Sequence, residues 1–396
     1  MELGLLGSDR RIAALAEAAV RRGDRITLVA ETAAEPYADA RQSSWESLLD
    51  AKACDAILVG RDGWSDARAE SVRMLVQAGR PLLVSHPPAV SMLWAWELEM
   101  IRRDTGGVLL PLLPARLHPF VAAVQRQLEA ALAGTGPLGA VESLVLERHL
   151  IKRDRDAVQR WLARDADLVR VLTGDPGRLS ALGASPEDET WQNLVVGLGG
   201  VDRVPVRWQA APSGDPGLRL TLRGTTESLT IEIPDDWSRP WNWQGGDPPP
   251  PAEFAPAEAM LDQLASQVAG SGPPADSARS DAIPPASWSD AARAIELADT
   301  VPRSLAKGRA IDLHQEEYSE LGTFRGTMAS LGCGIILAAL GLLLVAALVG
   351  GLANEFGWDL GKRIAGAWPV VALVVLGGFL VLQILPLLVG ESRGHE

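Results

Sequence analysis

A chain of 396 residues, 47% hydrophobic and 22% charged, is long enough for two domains with cores of their own and too apolar for a disordered protein. Its formal net charge of −13 excludes a nucleic-acid binder, because neutralising phosphates needs a basic surface. Two widely separated cysteines, Cys54 and Cys333, argue against a disulfide framework.

The chain opens without a basic leader, Met1-Glu2 preceding a four-residue apolar run, so no signal peptide is expected. "LGLLG", "RITLVAE", "CDAILVG" and "RPLLVSHPP" are short apolar runs ending in turn residues. Between the first two, Ile12, Leu15, Ala16, Ala19 and Val20 share one helical face; between the last two, Val72, Leu75 and Val76 do the same, with Gly79 as the stop. Strands buried on both faces and separated by helices predict a doubly wound parallel sheet over residues 1–115.

From 116 to 313 the texture changes. "PFVAAVQRQLEAALAGTGPLG" is a helix closed by a Gly/Pro turn, "AVESLVLERHLIK" a strand and "RDAVQRWLARDADLVRVLTG" a helix. Alternating runs such as "RVPVRWQAAPSG", "LRLTLRG" and "ESLTIEIPDD" predict a mostly antiparallel sheet. "PWNWQGGDPPPPAEFAP" reads as irregular loop, and "WSDAARAIELADTVPRSLAKGRAIDL" returns to a helix.

After a polar connector at 314–326 come two uncharged stretches, 327–353 and 364–389. Each exceeds the roughly 20 apolar residues that span a bilayer, so a two-helix transmembrane hairpin is expected. The slight excess of basic residues outside the hairpin loop predicts a multi-pass protein of the cell membrane with its large N-terminal part cytoplasmic. The expected class is therefore α/β: a Rossmann-like parallel sheet, a second α+β domain and a C-terminal membrane hairpin.

The turn after the first strand, Gly7-Ser8-Asp9-Arg10-Arg11-Ile12, stands where a dinucleotide fingerprint would read Gly-x-Gly-x-x-Gly. Gly7 keeps the first glycine, while Asp9 and Ile12 replace the other two. A carboxylate at a phosphate seat repels the ligand by about 4 kcal/mol per charge pair at 4 Å and an effective dielectric near 20. Ser8 or Asp9 equally suits a helix N-cap with no ligand. Glu31, at the end of the second strand, occupies the place of an acid that would hold a ribose hydroxyl.

Several stretches, in order, resemble the glucose–fructose oxidoreductase/inositol dehydrogenase (Gfo/Idh/MocA) family over residues 1–313. They are "WESLLDAKACDAILVG", "QAGRPLLVSHPP", "ARLHPFVAAVQRQLEAALAGTGPLGAVESLVLE", "DADLVRVLTG" and the closing helix. The resemblance implies a nicotinamide cofactor, a catalytic lysine in a Glu-Lys-Pro signature, and an Asp/His acid–base pair one helical turn apart. Here Ser85-His86-Pro87 stands at the signature, and Arg160 and Arg164 stand at the acid–base pair, flanked by Asp165 and Asp167. A guanidinium remains protonated and cannot act as a general base.

The expected function is thus that of a membrane-anchored relative that has lost catalysis and binds or scaffolds, with at most weak NAD(P) at Gly7, Ser8, Asp9, Arg10, Glu31 and His86. The alternative is an active NAD(P)-dependent oxidoreductase on a sugar or polyol, with His86 moving the proton. Arg160 and Arg164 suggest an anionic small-molecule ligand, unless they pair with Asp156, Asp165 or Asp167 and face solvent. The basic run from Arg148 to Arg164 reads mainly as a solvated face. The five histidines show no metal-ligand spacing, so no metal is expected; the membrane and a second copy of the chain complete the expected partners.

Overall fold

The first four apolar runs become parallel strands, because each is walled on both faces by helices that cover apolar side chains. In the computed structural model, residues 1–313 are described apart from 34–36, 38–39, 200–203, 213–214, 251–252 and 271–282. Beyond 313 only 341, 344, 345, 347, 348, 351, 352, 355 and 357 are described. Residues Met1–Leu313 form one compact unit.

Strands β1 (Glu2–Leu6), β2 (Arg25–Ala30), β3 (Arg41–Gln42), β4 (Ala56–Val59), β5 (Leu82–Ser85) and β6 (Leu109–Leu112) make a six-stranded sheet. Its order is β3-β2-β1-β4-β5-β6, and every pairing is parallel. Helix α1 (Arg10–Arg21) buries Ile12, Leu15 and Ala16 with Leu3 and Leu5 on one face of the sheet. On the other face Leu6, Ile57 and Val84 pack with Val72 and Leu75 of α2 (Asp66–Gln77). The reversal of strand order at β1/β4 is the switch point at which ligands of such sheets bind, beyond the carboxyl ends of the strands.

Helices α3 (Met92–Thr105) and α4 (Pro119–Leu132) lead to a second sheet of eight strands. Its centre is β7 (Val141–Leu150), followed in sequence by α5 (Arg155–Thr173), β8 (Arg178–Leu182), β9 (Val195–Gly199), β10 (Val206–Pro212), β11 (Gly217–Gly224), β12 (Ser228–Pro234) and β13 (Asn242–Gln244). All pairings are antiparallel except β7 with β10. Alternate inward residues, among them Leu144, Leu146, Trp208 and Leu220, pack against Val158, Leu162 and Ala166 of α5. The chain closes with α6 (Pro256–Val268), α7 (Trp288–Lys307) and β14 (Ile311–Asp312).

Two expectations are corrected. The Trp- and Pro-rich stretch read as irregular contains strand β13, and Pro256 begins α6. Proline is compatible with a first helical position because no amide is needed there, and α6 buries Met260, Leu261 and Leu264 against the parallel sheet. Arg148, read as part of a solvated basic face, is buried on an inward position of β7.

No helix among the described residues is long and apolar enough to cross a membrane. The two expected spans, 327–353 and 364–389, lie outside the described residues except for seven positions of the first. Those seven are helical and exposed, with Leu344, Val345, Leu348 and Leu352 among them.

Candidate functional site

At the carboxyl end of β1 the chain must turn sharply into α1. Gly7 makes the turn at φ +65°, and a Cβ there would stand 2.6 Å from the Arg68 Nη1 atom. Asp9 then caps α1: its Oδ1 accepts from the amides of Arg11 at 2.9 Å and Ile12 at 3.1 Å. Its Oδ2 accepts from the amide of Arg61 at 2.9 Å, and the carboxylate is buried. A helix N-terminus attracts an anion through its free amides and its dipole; here the protein supplies that anion itself.

The segment after β4 closes over the same turn. Gly60 approaches so near that a Cβ would fall 2.3 Å from the Ser8 Cα, and the Asp62 amide donates to the Ser8 carbonyl at 3.0 Å. Beneath Gly7 runs the buried Arg68 of α2, whose Nε donates to Glu31 Oε2 at 2.7 Å and whose Nη1 donates to the Asp62 carbonyl at 2.5 Å. Glu31 is held in the left-handed region at φ 54°. The acid expected to meet a ribose is clasped by an arginine of the same chain. Arg10 is exposed and pairs with Asp236 at 3.1 Å.

The turn forms one wall of a cleft of about 1000 Å³ between the two sheets. Arg61, His86, Arg160, Arg164, Trp161 and Trp237 line it. The expected site residues Asp9, Arg10, His86, Arg160 and Arg164 all meet there, whereas Gly7, Ser8 and Glu31 lie outside its lining.

His86, between β5 and α3, is buried, with Nε2 3.3 Å from the Ala163 carbonyl and Nδ1 without a partner. Burial, with a smaller contribution from the charge of Arg116, pushes its pKa down to about 4. At neutral pH it is an uncharged imidazole. With Nε2–H donated to the carbonyl, Nδ1 is left as an acceptor of low basicity, which gives little driving force for proton abstraction.

Asp165 and Asp167 of α5 are buried and committed elsewhere. Arg148 donates to both oxygens of Asp165, which also accepts from the Trp208 indole at 2.8 Å. Arg116 similarly holds both oxygens of Asp167. A third Arg148 nitrogen reaches Asp235 at 2.6 Å, and its guanidinium stacks 4.3 Å from the Trp161 ring. Asp165 and Asp167 therefore serve Arg148 and Arg116 rather than Arg160 and Arg164. Among the described residues, the alternative in which the two cleft arginines pair with Asp156, Asp165 or Asp167 is not what the structure has.

Among the described residues, neither Arg160 nor Arg164 has a hydrogen bond or ion pair, and Arg164 Nη1 is a buried orphan. Burial pushes the Arg164 pKa down to about 10, so it remains charged at neutral pH. Burial first, then the neighbouring Arg61 charge, holds Arg160 below the ordinary arginine value. Arg11, from the first turn of α1, stands 5.2 Å from the Trp161 ring and 5.9 Å from Trp237.

The sequence reading missed Arg11, Arg61, Arg68, Trp161 and Trp237. Arg61 lies just past a central parallel strand, beside the switch point, and position alone could have flagged it. Arg68 carries no signal, since it sits on a polar helix turn that only the fold brings under Gly7. No group of acidic, histidine or cysteine side chains suited to a metal occurs among the described residues.

No family model matches the chain, and no curated protein matches it in sequence. Its fold is that of Gfo/Idh/MocA-type dehydrogenases. Myo-inositol dehydrogenase from Corynebacterium glutamicum is 17% identical with a TM-score of 0.58, the match covering 79% of this chain and 99% of that one. The WlbA dehydrogenase from Bordetella pertussis, in complex with NADH and UDP-GlcNAcA, is 15% identical with a TM-score of 0.59 over 79% and 99%. A levoglucosan dehydrogenase in complex with NADH is 15% identical with a TM-score of 0.61 over 80% and 99%.

Proposed function

We propose that this chain is a membrane-anchored, divergent relative of the Gfo/Idh/MocA dehydrogenases that binds an anionic small molecule in its cleft and transfers no hydride. The observation that carries this reading is the carboxylate of Asp9, hydrogen-bonded to three backbone amides where a dinucleotide would place a phosphate. With the Arg68–Glu31 pair beneath the turn, the residues present do not fit a dinucleotide, and NAD(P) is at most a weak ligand.

In the cleft the signs are reversed. Two arginines stand at the positions that the family resemblance assigns to an acid–base pair, and neither can take up a proton. Each guanidinium offers up to five donors to a carboxylate or phosphate. The uncharged stretches at 327–353 and 364–389 support anchoring, and the exposed Leu344, Val345, Leu348 and Leu352 give a helix an apolar surface suited to lipid. The compact unit then lies on the cytoplasmic side.

Calorimetry on the full chain in detergent tests the reading, with NADH, NADPH and a panel of small carboxylates and phosphates as probes. Nucleotide affinity weaker than millimolar is expected, with at least one small anion bound and lost on Arg164→Ala. Micromolar NADH affinity, or reduction of NAD or NADP by any polyol, would overturn it.

A further inference from the structure

We infer that the cleft ligand carries two anionic groups, one held by Arg11 with Arg164 and the other by Arg61 with Arg160, about one helical turn apart. This rests on the anion-binding reading above and specifies its chemistry. Arg160 and Arg164 are four residues apart on α5, so their stems are offset by about 6 Å along one face.

Each has a cationic companion from the first sheet. Arg11 and Arg164 both lie against the Trp161 ring, at 5.2 and 5.8 Å. Arg61 and Arg160 line the same cleft, and after burial the Arg61 charge is the next cause that lowers the Arg160 pKa. Like charges brought together this way are unfavourable unless a counter-charge joins them.

Among the described residues, the one carboxylate paired with any of these four arginines is Asp62, which is exposed and 3.8 Å from Arg61. Near Arg164, Asp9 is bound to backbone amides, while Asp165 and Asp235 are bound to Arg148. Near Arg160, Asp154 caps α5 through the Ala157 amide, and exposed Asp62 reaches only Arg61, at 3.8 Å. Asp156 also acts on Arg160 through charge without hydrogen-bonding it.

A bidentate contact uses both oxygens of one carboxylate, so one small anion serves one arginine pair and leaves the other open. Trp161 and Trp237, which also line the cleft, bring apolar surface to the carbon chain that joins two such groups. The class indicated is a dicarboxylate, or a phosphorylated carboxylic acid, with its charges about 6 Å apart. This local excess of positive charge contrasts with the chain's net charge of −13.

The test is calorimetry at low salt on the full chain in detergent, with acetate, inorganic phosphate, glutarate and adipate as probes. Glutarate or adipate should bind at least tenfold more tightly than acetate. Arg61→Ala and Arg160→Ala should bring glutarate and adipate down to the acetate value, and Arg160→Lys should restore part of the loss. Arg164→Ala should weaken every probe. Dicarboxylates binding no more tightly than acetate, or Arg160→Ala weakening acetate and adipate equally, would overturn the two-group inference and leave a single anion site standing. If no probe binds, the anion-binding reading falls with it.

Discussion

Replacing Asp9 with asparagine separates its two structural tasks. The amide oxygen can still accept from Arg11 and Ile12, whose amides lie 2.9 and 3.1 Å from Oδ1. The new amide nitrogen, however, faces the Arg61 amide, now 2.9 Å from Oδ2, and puts donor against donor. Losing a hydrogen bond to a charged group costs about 1.5–3 kcal/mol, whereas the cap itself, worth about 1 kcal/mol, is kept. At roughly 2 °C per kcal/mol for a unit of this size, the melting temperature should fall by about 3–6 °C. Dinucleotide affinity should move the other way. A phosphate placed about 4 Å from Asp9 is repelled by about 1 kcal/mol if the site is water-like and about 4 kcal/mol at an effective dielectric of 20. Removing the charge should therefore tighten NADH binding at least fivefold. Scanning fluorimetry and calorimetry on one preparation read both effects. The reasoning is refuted if the unmodified chain binds NADH tightly and Asp9→Asn changes neither affinity nor melting temperature.

Burial pushes the pKa values of His86 and His118 down to about 4, while an unfolded histidine titrates near 6.5. The unfolded chain thus binds more protons below pH 6.5, and the stability these residues contribute is complete above that pH and lost as it falls toward 4. Urea midpoints should drop between pH 6.5 and 5 by the equivalent of about 2 kcal/mol per histidine, and a flat profile would contradict the burial. Arg164→Met removes a charge depressed to a pKa of about 10 by burial; it should stabilise the unliganded chain by about 1–3 kcal/mol while abolishing anion binding. A loss of stability in that variant would mark Arg164 as structural instead. If the tail is the anchor, the full chain should sediment with membranes, while a chain ending at Leu313 should fold cooperatively and stay out of that fraction; its retention there would place the anchor elsewhere.

The legible parts of this molecule are those with a period. Apolar runs bounded by Gly and Pro gave four of the six parallel strands, and the 3.6-residue spacing of Ile12, Leu15 and Ala16 gave α1. The strand missed at Leu109–Leu112 is interrupted by Pro111, and helix α3 hides its apolar face among Trp94, Trp96 and several charges. The site was half legible for a related reason. Asp9 could be read as a cap because capping is local, between a residue and the amides two and three positions on. Arg68 under Gly7 and Arg148 upon Asp165 are long-range pairs, 61 and 17 residues apart, and no spacing rule anticipates them.

Those long-range pairs nevertheless decide what the cleft can do. Arg148 and Arg116 take Asp165 and Asp167 of α5, so among the described residues neither acid pairs with Arg160 or Arg164. Asp9, likewise, occupies the amides of a helix terminus that would otherwise compete for an anion. The negative charge a ligand would bring is thus turned away from the nucleotide turn and drawn toward α5. Exchanging Asp9 for a neutral residue should therefore do more than admit a dinucleotide. It should also offer small anions a second seat, and the selectivity of the cleft would fall as its affinity for phosphate rose.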